Sequence, residues 1–195
     1  MDSTEKKAVI AEHFRKIMET LGLDLEDESL VKTPDRVAKM YVDEWFYGLS
    51  HEKFPRMMTL ENDDSVSYNQ MLVERNIKVH STCEHHFCPI VGVAHVAYIP
   101  QSKVVGLSKL NRVVDYFSRR PQVQERLTED IHKALREHLQ TEDVAVIVDA
   151  RHFCVITRGV MDVNSSTVTS KLSGAFNKPE ARQELMDLIK NPSKL

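Results

Sequence analysis

The chain has 195 residues, 42% apolar and 28% charged, a balance that can bury a core and excludes intrinsic disorder. Its 26 Lys and Arg against 29 Asp and Glu leave a formal net charge of −3, which disfavours a broadly basic nucleic-acid binder. No apolar run is long enough to span a membrane, and the opening Met1-Asp2-Ser3-Thr4-Glu5-Lys6-Lys7 lacks the apolar stretch of a signal peptide, so a cytoplasmic protein is expected.

Val9, Ile10, Phe14, Ile17, Met18 and Leu21 recur at helical spacing before Gly22, which predicts a first helix. Thr33 as N-cap and Pro34 in the first turn predict a second, with Val37, Met40, Tyr41 and Trp45 on its apolar face and Gly48 at its end. Residues 50–65, with Pro55 and the turn-like Glu61-Asn62-Asp63-Asp64, read as loop. The period then changes. Met71, Val73, Ile77 and Val79 alternate as one face of a strand, and a second strand runs from Val91 to Ile99, stopped by Pro100. Two helices follow, one starting near Ser108 as N-cap and holding Leu110, Val113, Val114 and Phe117, the other starting at Pro121 with Val123, Leu127, Ile131, Leu135 and Leu139 on one face. Val144, Val146 and Val148 predict a third strand, Phe153, Val155 and Thr157 a fourth, residues 165–172 an extension of the sheet, and residues 179–190 a closing helix. Paired strands beside paired helices predict an α+β fold with an antiparallel sheet.

The densest chemistry lies in Cys83-Glu84-His85-His86-Phe87-Cys88, with a second part far downstream at His152-Phe153-Cys154. Thiolate and imidazole are the preferred ligands of zinc, and Cys83 and His86 are spaced for one tight turn around a metal, with Cys154 as a third ligand brought by the fold. Each cysteine alone reads equally well as a small buried apolar residue. His85 and His152 flank the presumed ligands and could move protons near neutrality, or could simply support them. His95, among apolar neighbours, reads as a hydrogen-bonded sheet histidine, and His13, His51, His80, His132 and His138 carry no pattern. Ser108, Lys109, Arg112 and Arg158 form a basic set suited to phosphate, although Lys and Arg on a helix are commonly just solvated. Gln124 and Glu125, in the first turn of a helix, are either solvated or acceptors for a donor-rich ligand edge.

Several blocks together resemble GTP cyclohydrolase I. They are Val73-Glu74-Arg75-Asn76-Ile77, Ser81-Thr82-Cys83-Glu84-His85-His86, Gly106-Leu107-Ser108-Lys109-Leu110-Asn111-Arg112, Ser118 through Thr128, His152-Phe153-Cys154 and Arg158-Gly159, in the family's order over most of residues 24–175. The resemblance implies the tunnelling fold, an antiparallel sheet with two packed helices, with residues 66–195 as the catalytic domain behind an N-terminal helical region, residues 1–65. It implies a homodecamer of two pentamers with active sites at subunit contacts. The implied reaction opens the imidazole ring of GTP to give 7,8-dihydroneopterin triphosphate and formate, the first step of tetrahydrofolate biosynthesis, with neither nucleic acid nor membrane as partner. Cys83, His86 and Cys154 would hold Zn2+; His152 would protonate the purine ring nitrogen and His85 would assist later proton transfers. Glu125 with Gln124 would accept from the guanine N–H groups, and Ser108, Lys109, Arg112 and Arg158, joined by Arg36 from a neighbouring subunit, would hold the triphosphate. Cys88 stands where the family usually has an aliphatic residue.

Two other readings bear on the same residues. A zinc nucleobase deaminase would need a His-x-Glu and a Pro-Cys-x-x-Cys motif, which the chain lacks. A non-enzymatic module with a structural zinc would need a fourth protein ligand, Cys88 or His95. Catalysis needs that fourth position open, so Cys88 is expected to pack nearby uncoordinated.

Overall fold

The N-terminal residues build helices that lie mostly on the surface. In this computed structural model, which describes residues 1–63 and 68–190, α1 (Ser3–Thr20) opens with a capping box. The Asp2 carboxylate accepts from the Thr4 and Glu5 N–H groups at 2.7 and 2.9 Å, and the Glu5 carboxylate accepts from the Asp2 N–H at 3.0 Å. Only Met18 of its apolar set is buried; Val9, Ile17 and Leu21 are 39%, 51% and 71% exposed. In α2 (Thr33–Lys39) Lys32 occupies the cap and Thr33 is already helical, with no side-chain cap bond. Its helix passes into a π-helical turn over Met40–Trp45 and then a 3-10 turn at Tyr47–Leu49. Gly48 is required there, because a Cβ would come within 2.2 Å of the Tyr116 carbonyl oxygen.

The stretch expected to be loop contains a short strand, β1 (Thr59–Glu61), which pairs antiparallel with β4 (Lys103–Val105). Asp64 and the expected boundary between residues 65 and 66 fall outside the described residues. The main sheet is ordered β5-β2-β3-β6-β7. β2 (Leu72–Cys83), β3 (Pro89–Tyr98), β6 (Val144–His152) and β7 (Thr167–Leu172) run antiparallel, and the two-residue β5 (Pro121–Gln122) lies parallel to the end of β2.

A bulge corrects the predicted strand face. Glu74 pairs with Val96 but Ile77 pairs with Ala94, so β2 carries one extra residue, accommodated by Asn76 at φ 56. The extra residue swaps the faces. Leu72, Ile77 and Val79 join the main core, whereas Met71 and Val73 pack on the opposite side of the sheet.

α3 (Leu107–Ser118) and α4 (Gln124–Leu139) cover one sheet face. Leu110, Val113 and Val114 of α3 and Leu127, Ile131, Leu135 and Leu139 of α4 meet Ile90, Val96, Val144, Val146 and Val148 of the sheet. The four α4 side chains are fully buried, each contributing about 1.5–3 kcal/mol of transfer free energy. α6 (Pro179–Lys190) covers the other face with a smaller cluster of Ala97, Ala145, Ile147, Phe176 and Leu185. The architecture is α+β with an antiparallel sheet and two packed helices. Among the described residues no helix is long and apolar enough to cross a membrane.

Three boundaries differ from expectation. Gly106, not Ser108, caps α3. Pro121 lies in β5 because the open edge of β2 offers a partner there, and α4 begins only at Gln124. Residues Phe153–Ile156 form α5, a single helical turn rather than a strand. Their β-branched content favours a strand, but β3 begins at Pro89, and Ile90 already pairs with His152, so almost no strand remains for a continuation to pair with.

Candidate functional site

The metal-capable cluster forms at one end of the sheet because two chain turns meet there. β2 ends at Cys83, and the Cys83 N–H donates to the Cys88 carbonyl at 2.8 Å, closing the turn that carries His86. β6, the antiparallel neighbour of β3, ends at His152 beside Ile90, and α5 then folds Cys154 back over the start of β3. β3 lies between β2 and β6, so Cys154 reaches Cys83 through α5 and not by direct strand pairing.

The ligand atoms of Cys83, His86 and Cys154 all lie within 4.8 Å of one another, the only such group among the described residues. Cys83 is buried, Cys154 half-buried and His86 exposed. Burial, then the hydrogen bond and charge of Cys83, then the charge of Cys88, push the Cys154 thiol above its ordinary pKa. Two thiols this close ionise together only when a cation offsets their repulsion, so the donor set fits a soft or borderline metal ion. Cys88 and His95 lie outside the group. The Cys88 thiol donates to the His86 carbonyl at 3.7 Å. His95 accepts from the Asn76 N–H at 3.4 Å in the bulge, the hydrogen-bonded sheet histidine expected of it.

Other expected site residues gather at the same end. Arg158 Nη1 donates to His86 Nε2 at 2.7 Å. Exposed His85 has Nδ1 3.9 Å from the Cys83 sulfur and Nε2 4.0 Å from Glu84 Oε1. Burial pushes the His152 pKa down, and the negative charge of nearby Glu125 opposes the shift. Glu125 itself is exposed at the start of α4. Gln124, expected beside it as a guanine acceptor, faces the other way. Its side chain is 1% exposed and its Oε1 sits 2.7 Å from His152 Nε2, turned into the protein.

The remaining basic residues lie elsewhere. α3 ends beside the metal turn, where the Arg120 carbonyl accepts from Ser81 Oγ at 3.3 Å. It begins at the opposite end of the sheet, where the buried Tyr98 hydroxyl accepts from the Val105 N–H at 3.1 Å and sets the approach to Gly106. Ser108 and Lys109 therefore stand most of the helix, ~14–15 Å along its axis, from the end of α3 beside the metal-capable turn of their own chain. Arg112 is on the same helix and exposed, and its neighbour Asn111 donates to Glu74 Oε1 at 3.2 Å. Arg36 is exposed on α2, and among the described residues no side-chain hydrogen bond ties it to the cluster.

One contact had no expectation attached. Arg126 Nη1 lies 2.6 Å from Glu84 Oε2, joining the first turn of α4 to the metal turn. Both groups face solvent, where an ion pair adds little to stability, so the contact orients the turn more than it stabilises it. Nothing in the spacing signals it, since the partners are 42 residues apart.

The family model for GTP cyclohydrolase I matches residues 10–190. GTP cyclohydrolase 1 of Flavobacterium johnsoniae is 52% identical over 186 residues, covering 95% of this chain and 82% of the relative. The Aeromonas hydrophila protein of the same name is 53% identical over 191 residues, covering 97% and 87%, and that of Vibrio cholerae 51% over 183 residues, covering 93% and 83%. Among solved structures, the apo archaeosine synthase QueF-Like aligns with a TM-score of 0.45 at 17% identity, covering 54% of this chain and 94% of that one. The ordered site blocks and near full-length matches lead to one conclusion: the chain belongs to the GTP cyclohydrolase I family.

Proposed function

We propose that the protein is a zinc-dependent hydrolase that opens the imidazole ring of GTP, giving 7,8-dihydroneopterin triphosphate and formate at the head of tetrahydrofolate synthesis. The observation that carries it is the convergence of Cys83, His86 and Cys154 with His85, His152, Glu125 and Arg158 at one end of the sheet, in a chain of this family. Zn2+ held by Cys83, His86 and Cys154 would supply Lewis acidity and a water of lowered pKa at its open position.

The protein's own groups do the rest. Glu125 accepts from the N1 and exocyclic N–H groups of guanine, so adenine, which lacks that donor pattern, is rejected. His152 delivers a proton to the imidazole-ring nitrogen as C8 is hydrated, and exposed His85 serves the later proton transfers of ring opening and ribose rearrangement. Arg158, already at the edge of the ligand set, turns from His86 Nε2 to the triphosphate. That nitrogen can accept from Arg158 or bind a cation, not both at once.

Ser108 and Lys109 hold the phosphates of a GTP bound on a neighbouring subunit. They stand at the end of α3 remote from the metal-capable turn of their own chain. This separation supports active sites shared between copies, within a decamer of two pentamers to which Arg36 contributes across a contact. Residues 66–195 form the catalytic domain, residues 1–65 its N-terminal helical region, and the enzyme is cytoplasmic.

The test is direct. Zinc-loaded protein given GTP releases formate and, after oxidation, yields a fluorescent pterin, while ATP yields neither. A zinc-replete preparation that releases no formate from GTP overturns the reading.

A further inference from the structure

We infer that Gln124 is a positioning residue for His152 rather than a substrate contact: its buried carboxamide holds the imidazole as the Nε2–H tautomer, leaving Nδ1 as the ring nitrogen that exchanges a proton with substrate. The inference rests on the proposed ring opening, and it deepens that reading by assigning the reacting nitrogen.

The hydrogen bonds fix the orientation of the amide. Gln124 Nε2 lies 3.1 Å from the Val148 carbonyl, 2.9 Å from the Thr167 carbonyl and 3.1 Å from Thr169 Oγ1. Two of these three partners are backbone carbonyls, which only accept, so this end of the amide must be the NH2 group. Thr128 Oγ1 donates to the Gln124 backbone carbonyl at 2.9 Å, so the 2.6 Å contact between Thr169 Oγ1 and Thr128 Oγ1 uses the Thr169 hydrogen. Thr169 is then left as an acceptor for Gln124, and every hydrogen in the network has a place. A flipped amide would put its oxygen against two carbonyl oxygens in a buried setting, a cost no other contact offsets.

The other end of the amide is therefore an oxygen with lone pairs only, 2.7 Å from His152 Nε2. That nitrogen must carry hydrogen whether the ring is neutral or charged. The neutral ring has its lone pair on Nδ1, and the charged ring releases its proton from Nδ1. α4, β6 and β7 thus all hold one imidazole through one glutamine. This explains why a polar side chain is buried at the first residue of a helix next to the exposed Glu125.

The experiment has two arms. Solid-state 15N NMR of histidine-labelled, zinc-loaded protein, with the His152 signal assigned by its loss in His152→Asn, is expected to show hydrogen on Nε2 and a bare Nδ1. Gln124→Met, which keeps the volume but neither polar group, is expected to mix the tautomers. It should also lower kcat roughly 100-fold, as expected of a misplaced proton donor, at unchanged KM for GTP and unchanged zinc content. A wild-type His152 with its hydrogen on Nδ1 overturns the inference. So does a raised KM at unchanged kcat, the mark of a lost substrate contact. The tautomer is read without turnover, so protein that fails to release formate removes the proposed function while the NMR arm still decides Gln124. Failure of Gln124→Met to fold leaves the wild-type spectrum as the deciding measurement.

Discussion

Mixing two inactive variants tests the sharing of active sites between subunits. Cys154→Ser removes one thiol of the metal-capable group at one end of the sheet, and Lys109→Glu reverses a charge at the other. The two positions belong to different sites if Lys109, ~14 Å along α3 from its end beside the metal-capable turn, serves a neighbour's triphosphate. A site is then active only when its metal comes from a Lys109→Glu chain and its basic residues from a Cys154→Ser chain. Random assembly at equal amounts meets both conditions at about a quarter of the sites, one half times one half, in a closed symmetric oligomer. The variants are co-expressed with different tags and purified through both. Formate release from GTP should reach roughly a quarter of the wild-type rate per chain, while either variant alone, or the two mixed without subunit exchange, stays near zero. A co-assembled oligomer with only the parental background would show that each chain builds its own site and refute the argument from α3.

Other outcomes follow from the same geometry. Cys83→Ser and Cys154→Ser should each lose zinc and activity, whereas Cys88→Val should retain both; metal analysis of the three decides, and zinc loss in Cys88→Val would make Cys88 a third thiolate and fourth protein ligand of the metal. Glu125→Ala should keep zinc but lose about 2–3 kcal/mol of guanine recognition, roughly 30- to 160-fold in kcat/KM for GTP, and a near-normal kcat/KM removes Glu125 from the site. His132 is 1% exposed with Nε2 2.9 Å from Ser173 Oγ, and burial, followed by the charge of Arg136, holds its pKa below the ordinary 6.5. The unfolded chain therefore binds a proton that the folded chain refuses, so stability is full above 6.5 and falls as pH drops through the window beneath it. Denaturant unfolding at fixed protein concentration should show His132→Gln losing less stability than wild type from about pH 7 to about pH 5, and equal losses would refute the assignment.

The metal-capable group was legible in the sequence because its chemistry is local. Cys83 and His86 share one turn, and few residue types besides Cys and His bind a borderline metal well. The two core helices were legible too, since apolar residues at helical spacing have one way to be buried. The bulge at Asn76 was not: one extra residue inverts the two faces of a strand, and which residue is extra depends on the partner strand. The turn at Phe153–Ile156 ran against its own β-branched residues because its neighbouring strand runs out beside His152. Gln124 and Glu125 looked alike as adjacent polar residues at a helix start, and only the backbone carbonyls of β6 and β7 turned one inward and left the other exposed. Likewise, Ser108, Lys109 and Arg158 read as one basic set, but a helix spans distance and the sheet sets its ends, so the fold placed two of them far from the third. The sequence by itself determined which chemistry the chain can perform, because residue type sets ligand and proton affinity. Tertiary structure alone decided which groups meet, because pairing, register and burial are relations between distant segments.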